Sequence, residues 1–260
     1  MRARKRFGQH FLHDPAVIDR IIAAIDPRPG QALVEIGPGR GALTGALLAA
    51  GSSLDVVEID RDLAQALRER YAADSGLVVH EADALDFDWA ALARARGAPL
   101  RLIGNLPYNI STPLLFGLLE HAGSIEDMHF MLQREVVKRI VAAPGTASYG
   151  RLGVMLAPRV EATELLSVGP GAFQPPPKVW SAVVRLVPRP APPPWAANPH
   201  YGPLVMAAFG QRRKTLRNAL AALLSAEQIR AAGIDPGARA ETLSAAQFGQ
   251  LAQAASAVLH

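Results

Sequence analysis

The sequence predicts an α/β protein: a doubly wound parallel sheet followed by a small all-helical C-terminal domain. Three observations lead there. Short apolar runs alternate with helical patterns from residue 14 to residue 142. Two of those runs end in sharp turns, Gly37-Pro38-Gly39 and Asn105-Leu106-Pro107-Tyr108. Beyond a proline-rich stretch the strand pattern stops. Strands separated by helices return in parallel, because a parallel partner needs a crossover connection.

The first element is a helix from Asp14 to Ile25. Val17, Ile18, Ile21, Ile22 and Ile25 fall on one face, Asp14 can cap it and Pro15 suits its first turn. Strands follow at Ala32–Ile36, Leu54–Ile59, Leu77–His80, Leu100–Ile103 and Met128–Leu132. The helices between and after them are Ala42–Ala50, Arg61–Ala73, Trp89–Arg96, Thr112–His121 and Arg134–Ala142. Val160–Val168 and Val179–Val187 read as two more strands, separated by a loop rich in glycine and proline.

Pro188 to Pro194 holds five prolines in seven residues and is read as a stiff connector. It places a domain boundary near residue 190, with domains 1–190 and 191–260. Helices are expected at Leu204–Phe209, Thr215–Leu224, Ala226–Ala232 and Ala245–Leu259.

Composition narrows the function classes. A chain of 260 residues without cysteine has no disulfide and no cysteine-based metal or nucleophile chemistry. No metal site is expected. That composition fits a reducing compartment, and the cytoplasm is the expected location. No apolar run approaches 18 residues, so neither a membrane span nor a membrane partner is expected. Net charge is +4, and Arg2, Arg4, Lys5 and Arg6 alone match that excess. A second cluster, Arg212, Arg213, Lys214 and Arg217, contains no acid. Two concentrated basic patches on a balanced body point to a polyanion. Nothing in the chain argues for self-association, and a monomer is the default.

Gly37, Gly39 and Ala42 satisfy the dinucleotide fingerprint, with a strand before and a helix after. Glu58 ends the next strand, where a carboxylate can accept from ribose hydroxyls. Asp83 ends the third strand and can accept from a cofactor adenine amine or cap its own turn. NAD and S-adenosylmethionine compete for this site. Pro38 deletes an N–H that a pyrophosphate would use, and Glu35 adds negative charge beside it. S-adenosylmethionine is cationic and has no phosphate, so both features favour it.

The Asn105–Tyr108 turn suits an adenine amine. That nitrogen is a poor nucleophile because its lone pair is delocalised into the ring. Acceptors on its hydrogens, Asn105 Oδ1 and the Leu106 carbonyl, would pyramidalise it. Pro107 stiffens the turn and Tyr108 offers a stacking face. The gain is orientation and preorganised dipoles rather than a strong base. The base must be unpaired or flipped to arrive there. Phe173, in the proline-rich loop, is placed to close its other face, while the residues by themselves favour an ordinary core position for it.

These segments resemble the small-subunit ribosomal RNA adenine dimethyltransferases, the KsgA/RsmA family. The resemblance runs through Arg4–Leu12, Glu35–Gly41, Gly104–Pro113, Phe173–Val179, Ser181–Leu186 and Phe209–Asn218. It implies a Rossmann-like class I methyltransferase domain and a C-terminal domain that docks the small ribosomal subunit. It implies dimethylation of two adjacent adenosines near the 3′ end of the small-subunit RNA, with a role in subunit biogenesis. On matching positions, cofactor contacts fall on His10, Leu12, Gly37, Glu58, Asp83 and Asn105. The amine site falls on Asn105, Leu106, Pro107 and Tyr108, with Phe173 stacking. RNA contacts fall on Arg4, Lys5, Arg6, Arg212, Arg213, Lys214 and Arg217.

Two positions depart from the family pattern. His10 stands where many relatives carry Asn; both can hydrogen-bond, but imidazole is bulkier. Trp180 stands where Asp is usual. Three rivals remain: a large-subunit adenine dimethyltransferase of the antibiotic-resistance type, a non-catalytic binding protein, and a dehydrogenase.

Overall fold

The structure is a computed structural model that describes residues 10–51, 53–107, 110–211 and 213–256. Arg4, Lys5, Arg6, Tyr108 and Arg212 lie outside the described residues, as do the last residues expected in the final helix. The chain divides into two compact units: residues up to Val137 with Thr163–Pro188, and Lys138–Ala162 with Arg189 onward.

The first unit begins with β1 (Phe11–Leu12) and α1 (Pro15–Ile25). Asp14 caps α1, its Oδ1 accepting from Ala16 N at 3.0 Å and Val17 N at 3.3 Å. Then come β2 (Ala32–Ile36), α2 (Ala42–Ala49), β3 (Leu54–Glu58), α3 (Arg61–Arg70) and β4 (Leu77–Glu81). They are followed by α4 (Trp89–Arg96), β5 (Leu100–Asn105), α5 (Ser111–Glu120) and β6 (Ile125–Gln133). The helices α6 (Arg134–Val141) and α7 (Arg151–Leu156) lead to β7 (Val160–Val168), β8 (Phe173–Gln174) and β9 (Ser181–Pro188).

Seven strands form one sheet in the order β4-β3-β2-β5-β6-β9-β7. From β4 to β6 every pairing is parallel. The parallel arrangement expected from the alternation of strands and helices ends at β9, which pairs antiparallel to β6. No α-helix precedes β9 after β7, so the chain has no crossover with which to return in parallel. Successive strands diverge to either side of β2, with β3 on one flank and β5 on the other. Ligands collect at the carboxyl ends of strands at such a switch point.

A buried ion pair locks β5 to its surroundings at the opposite end. Arg101 Nε donates to Asp127 Oδ1 on β6 at 3.0 Å, and Nη2 donates to the Ile25 carbonyl of α1 at 2.8 Å. The guanidinium thus satisfies a carbonyl that the end of α1 leaves open. Burial pushes the neighbouring His129 down to about 4, which keeps that ring neutral.

A second, smaller ladder pairs β1 with β8, placing Leu12 opposite Phe173 and Phe11 opposite Gln174. It joins the start of the chain to the proline-rich loop.

The second unit contains α7, α8 (Tyr201–Gly210), α9 (Leu216–Ala219), α10 (Ala226–Ala231) and α11 (Ala245–Ser256). From residue 189 to 256 its described residues hold no strand. Tyr149 and Val154 share a core with Leu204, Val205, Leu216, Phe248 and Leu251. Tyr149 Oη donates to the Leu243 carbonyl at 2.7 Å, and Tyr201 Oη donates to the Val154 carbonyl at 2.8 Å. This packing draws residues 138–162 into the C-terminal unit, so the first unit is not the continuous stretch 1–190 expected from the sequence. Among the described residues no helix is long and apolar enough to cross a membrane.

Candidate active site

A cavity of about 290 Å³ opens at the carboxyl ends of β2, β3 and β5. Its walls include β1, the turn after β2, the end of β3, the turn after β4 and the segment after β5. Register explains the meeting: Glu35 pairs with both Val56 and Ile103, so the three strands end at one edge.

The turn after β2 needs glycine for its backbone. Gly37, Gly39 and Gly41 have φ of 63°, 57° and 76°, in the left-handed region that side chains disfavour. Their N–H groups are all engaged within the protein. Gly37 N donates to the Val57 carbonyl at 2.9 Å, Gly39 N to Glu58 Oε2 at 3.1 Å and Gly41 N to the Pro38 carbonyl at 2.9 Å. Pro38 has no N–H. A pyrophosphate cradle is built from free backbone donors. Here four of the turn's positions offer none.

Two carboxyl groups face this turn. Glu58 is buried, and its Oε1 also accepts from Asp60 N at 2.9 Å. Burial raises its affinity for a proton, opposed by the Asp60 and Gly39 amides. A carboxylate has about four acceptor positions, so ribose hydroxyls can still be accommodated. Glu35 is 2% exposed and lines the cavity. Thr44 Oγ1 donates to its Oε2 at 2.5 Å. Burial pushes Glu35 up to about 7, with the Thr44 bond opposing and the Glu58 charge adding to the rise.

Asp83 lines the cavity while its Oδ1 caps the following turn, accepting from Leu85 N at 2.9 Å. The two readings of this residue are therefore compatible. Ile59 and Leu85, beside the two acids, are 52% and 44% exposed and line the same cavity. They give it apolar walls suited to a planar ring. Sequence reasoning misses both, although a large aliphatic residue one or two positions after a strand-end acid is an available clue. It also misses Phe11 and Arg40, which line the cavity together, the guanidinium carbon 4.3 Å from the ring centroid.

Asn105 stands at the end of β5, half-buried, on the cavity wall. Gly104 lets it come so close: a Cβ there would lie 2.7 Å from the Ile36 carbonyl oxygen. Asn105 Nδ2 donates to the His10 carbonyl at 3.1 Å. Leu106 is 1% exposed and its N–H donates to the Met131 carbonyl at 3.2 Å, which anchors the turn. Pro107 lines the cavity, and its carbonyl accepts from Ile110 N at 3.2 Å.

His10, Leu12, Gly37, Glu58, Asp83 and Asn105 all border the one cavity. The His10 ring also reaches Pro175, with Nδ1 2.8 Å from that carbonyl oxygen, so Nδ1 carries the proton. Phe173, which the resemblance places against the substrate base, is 3% exposed and packs with Leu12, Ile21, Ile103, Met131 and Val183. The β1–β8 ladder turns its ring into the core. Arg213, Lys214 and Arg217 are exposed in the second unit.

A family profile described as ribosomal RNA adenine dimethylase matches residues 1–256. The chain belongs to the ribosomal RNA adenine dimethylase family. Among curated members, ribosomal RNA small subunit methyltransferase A of Pseudomonas aeruginosa is 56% identical over 252 residues, covering 96% of this chain and 94% of that one. The protein of the same name from Methylococcus capsulatus is 56% identical over 245 residues, covering 94% and 95%. Two solved structures share the dimethylase fold. A dimethyladenosine transferase from Plasmodium falciparum superposes with a TM-score of 0.75 at 26% identity, over 93% of this chain and 96% of that one. The 23S rRNA methyltransferase ErmE superposes with 0.71 at 28% identity, over 95% and 99%. Fold alone does not separate these two branches of dimethylases; the 56% identities favour the small-subunit branch.

Proposed function

We propose that this chain methylates the N6 amines of two adjacent adenosines near the 3′ end of small-subunit ribosomal RNA, using S-adenosylmethionine. The product is N6,N6-dimethyladenosine. Membership of the adenine dimethylase family supports the enzyme class, and the 56% relatives support the small-subunit substrate.

The observation that carries the reading is the Asn105 amide. Its Nδ2 is tied to the His10 carbonyl, which leaves Oδ1 as the acceptor for a substrate amine. The Leu106 carbonyl supplies the second acceptor. Together they hold the amine nitrogen with its lone pair directed, and no strong base is required.

The turn after β2 fits the cofactor chemistry. Its engaged N–H groups and two nearby carboxyl groups disfavour a pyrophosphate and suit a cationic ligand without phosphate. Glu58 would hold the ribose, Asp83 the adenine amine, Ile59 and Leu85 the adenine faces, and Glu35 would offset positive charge. When bound, the cofactor supplies a methyl group on a cationic sulfonium. The basic residues of the second unit would engage the subunit RNA, giving salt-sensitive binding.

The test is transfer of labelled methyl from S-adenosylmethionine to unmethylated small subunits, to large-subunit RNA and to no acceptor, with nucleoside analysis. Dimethyladenosine confined to small-subunit RNA is the expected result. Label in large-subunit RNA alone overturns the substrate assignment. No label in any acceptor, with cofactor still bound, overturns the activity.

A further inference from the structure

Trp180 is 52% exposed and Val179 before it is 44% exposed. Trp180 immediately precedes β9 and shares its edge with Asn105. Met131 on β6 pairs with Asn105 on one side and Val183 on the other, and Gln133 pairs with Ser181. Trp180 therefore emerges where β6 ends, two strands across from the amine site. At about 4.8 Å per strand the lateral offset is about 10 Å, and the three residues from Val183 back to Trp180 add about 10 Å along the strand, about 14 Å in all, within reach of the single strand flanking the nucleotide held at Asn105.

The indole is seated and electrostatically framed. A Cβ at Gly169 would lie 3.6 Å from the ring, so this small residue forms its backing. Arg134 N donates to the Trp180 carbonyl at 2.9 Å, and the Arg134 guanidinium carbon is 6.0 Å from the ring centroid. Arg134 Nε is buried and has no hydrogen-bond partner among the described residues, and Lys178 is exposed. An aromatic plane beside one guanidinium, with an exposed lysine two residues earlier in the chain, matches a nucleobase with its phosphates. Two apolar residues are too little area for a stable protein interface.

We propose that Trp180, backed by Gly169 and flanked by Arg134 and Lys178, is a stacking platform for an unpaired base beside the target adenosine. The proposal rests on the function above and adds a substrate-positioning residue to it.

Two measurements on the full chain test it. In the first, a single-stranded oligoadenylate hexamer is titrated into the wild type and Trp180→Phe while tryptophan fluorescence is read. A saturable quench in the wild type that vanishes in the variant is expected, since Trp89 and Trp195 remain in both. An identical quench in both overturns the platform. In the second, steady-state methylation of unmethylated small subunits is measured. Trp180→Ala is expected to raise KM about tenfold, while Trp180→Phe stays within about threefold. An unchanged KM in Trp180→Ala overturns the platform even when dimethyladenosine is made. A wild type that quenches through Trp180 but methylates nothing overturns the function instead.

Discussion

Asn105 donates from Nδ2 to the backbone carbonyl of His10 at 3.1 Å, so the backbone just before β1 orients the side chain at the end of β5. An amide tied at its nitrogen presents its oxygen in one direction. Asn105→Ala removes that acceptor and leaves the turn after β2 untouched. Cofactor affinity is expected to change less than about threefold while kcat/KM falls about 100-fold or more. Calorimetry for the first and labelled methyl transfer for the second check this. Unchanged turnover removes the amine-holding role.

The His10 ring makes a second link, to the Pro175 carbonyl. It connects the β1 segment that holds Asn105 with the proline-rich loop. His10→Ala is expected to lower kcat about tenfold by loosening that connection, since small misplacements of a reacting group have large kinetic effects. His10→Asn keeps a donor and should recover to within about threefold. Equal kcat in wild type and His10→Ala would assign the ring no part in positioning Asn105.

Glu35 makes stability and ligand binding depend on pH. Its folded value near 7 lies above the usual 4.5, so the folded state retains its proton where the unfolded chain has lost it. The stabilising contribution is complete below about pH 4.5 and is lost as pH rises through 7. The difference is about 3 kcal/mol at most. Glu35→Gln should therefore melt higher than the wild type at pH 8 and gain nothing at pH 5. A cationic cofactor favours the ionised form, so its affinity should rise between pH 6 and 8 with proton release. That slope should disappear in Glu35→Gln. Titration calorimetry in buffers of different ionisation enthalpy reads the proton directly.

Much of the first unit is legible in the sequence. Ala32–Ile36, Trp89–Arg96 and Val160–Val168 form where apolar patterning places them, because glycine, proline or a capping aspartate bounds each run. The β1–β8 ladder is not legible. Two-residue strands show no period, and their pairing is set by packing between distant segments. The burial of Phe173, which the family resemblance places against the substrate base, is not readable from the strand pattern for that reason. The helix expected over Thr215–Leu224 shrinks to Leu216–Ala219. Leu216 N and Arg217 N, first-turn donors without an intrahelical partner, bond the Ala238 and Pro236 carbonyls at 2.8 and 3.0 Å. Beyond Ala219 the chain tightens into turns, with Leu223 N and Leu224 N both bonding the Leu220 carbonyl, at 2.7 and 2.9 Å. In the site, the residue types at strand ends are readable, whereas the engagement of the turn's N–H groups emerges only in three dimensions.

Arg213, Lys214 and Arg217 are exposed on the second unit. Replacing all three by Ala should weaken binding to small subunits and flatten the dependence of log affinity on log salt. Each phosphate no longer neutralised lowers the slope by about 0.7 to 0.9, so three of them give a change of about 2 to 3. Filter binding across a salt series measures it. An identical slope would make the cluster a bystander.

Strand β9 lies between β6 and β7 in the sheet although it is the last of the three in the chain. During synthesis β6 and β7 therefore leave the ribosome with the place between them still vacant. The sheet cannot close until residue 188 has emerged, after the whole excursion through residues 138–162 has been made. A nascent chain arrested before that point carries two unpaired strand edges, whose free N–H and C=O groups invite wrong pairing and call for a chaperone.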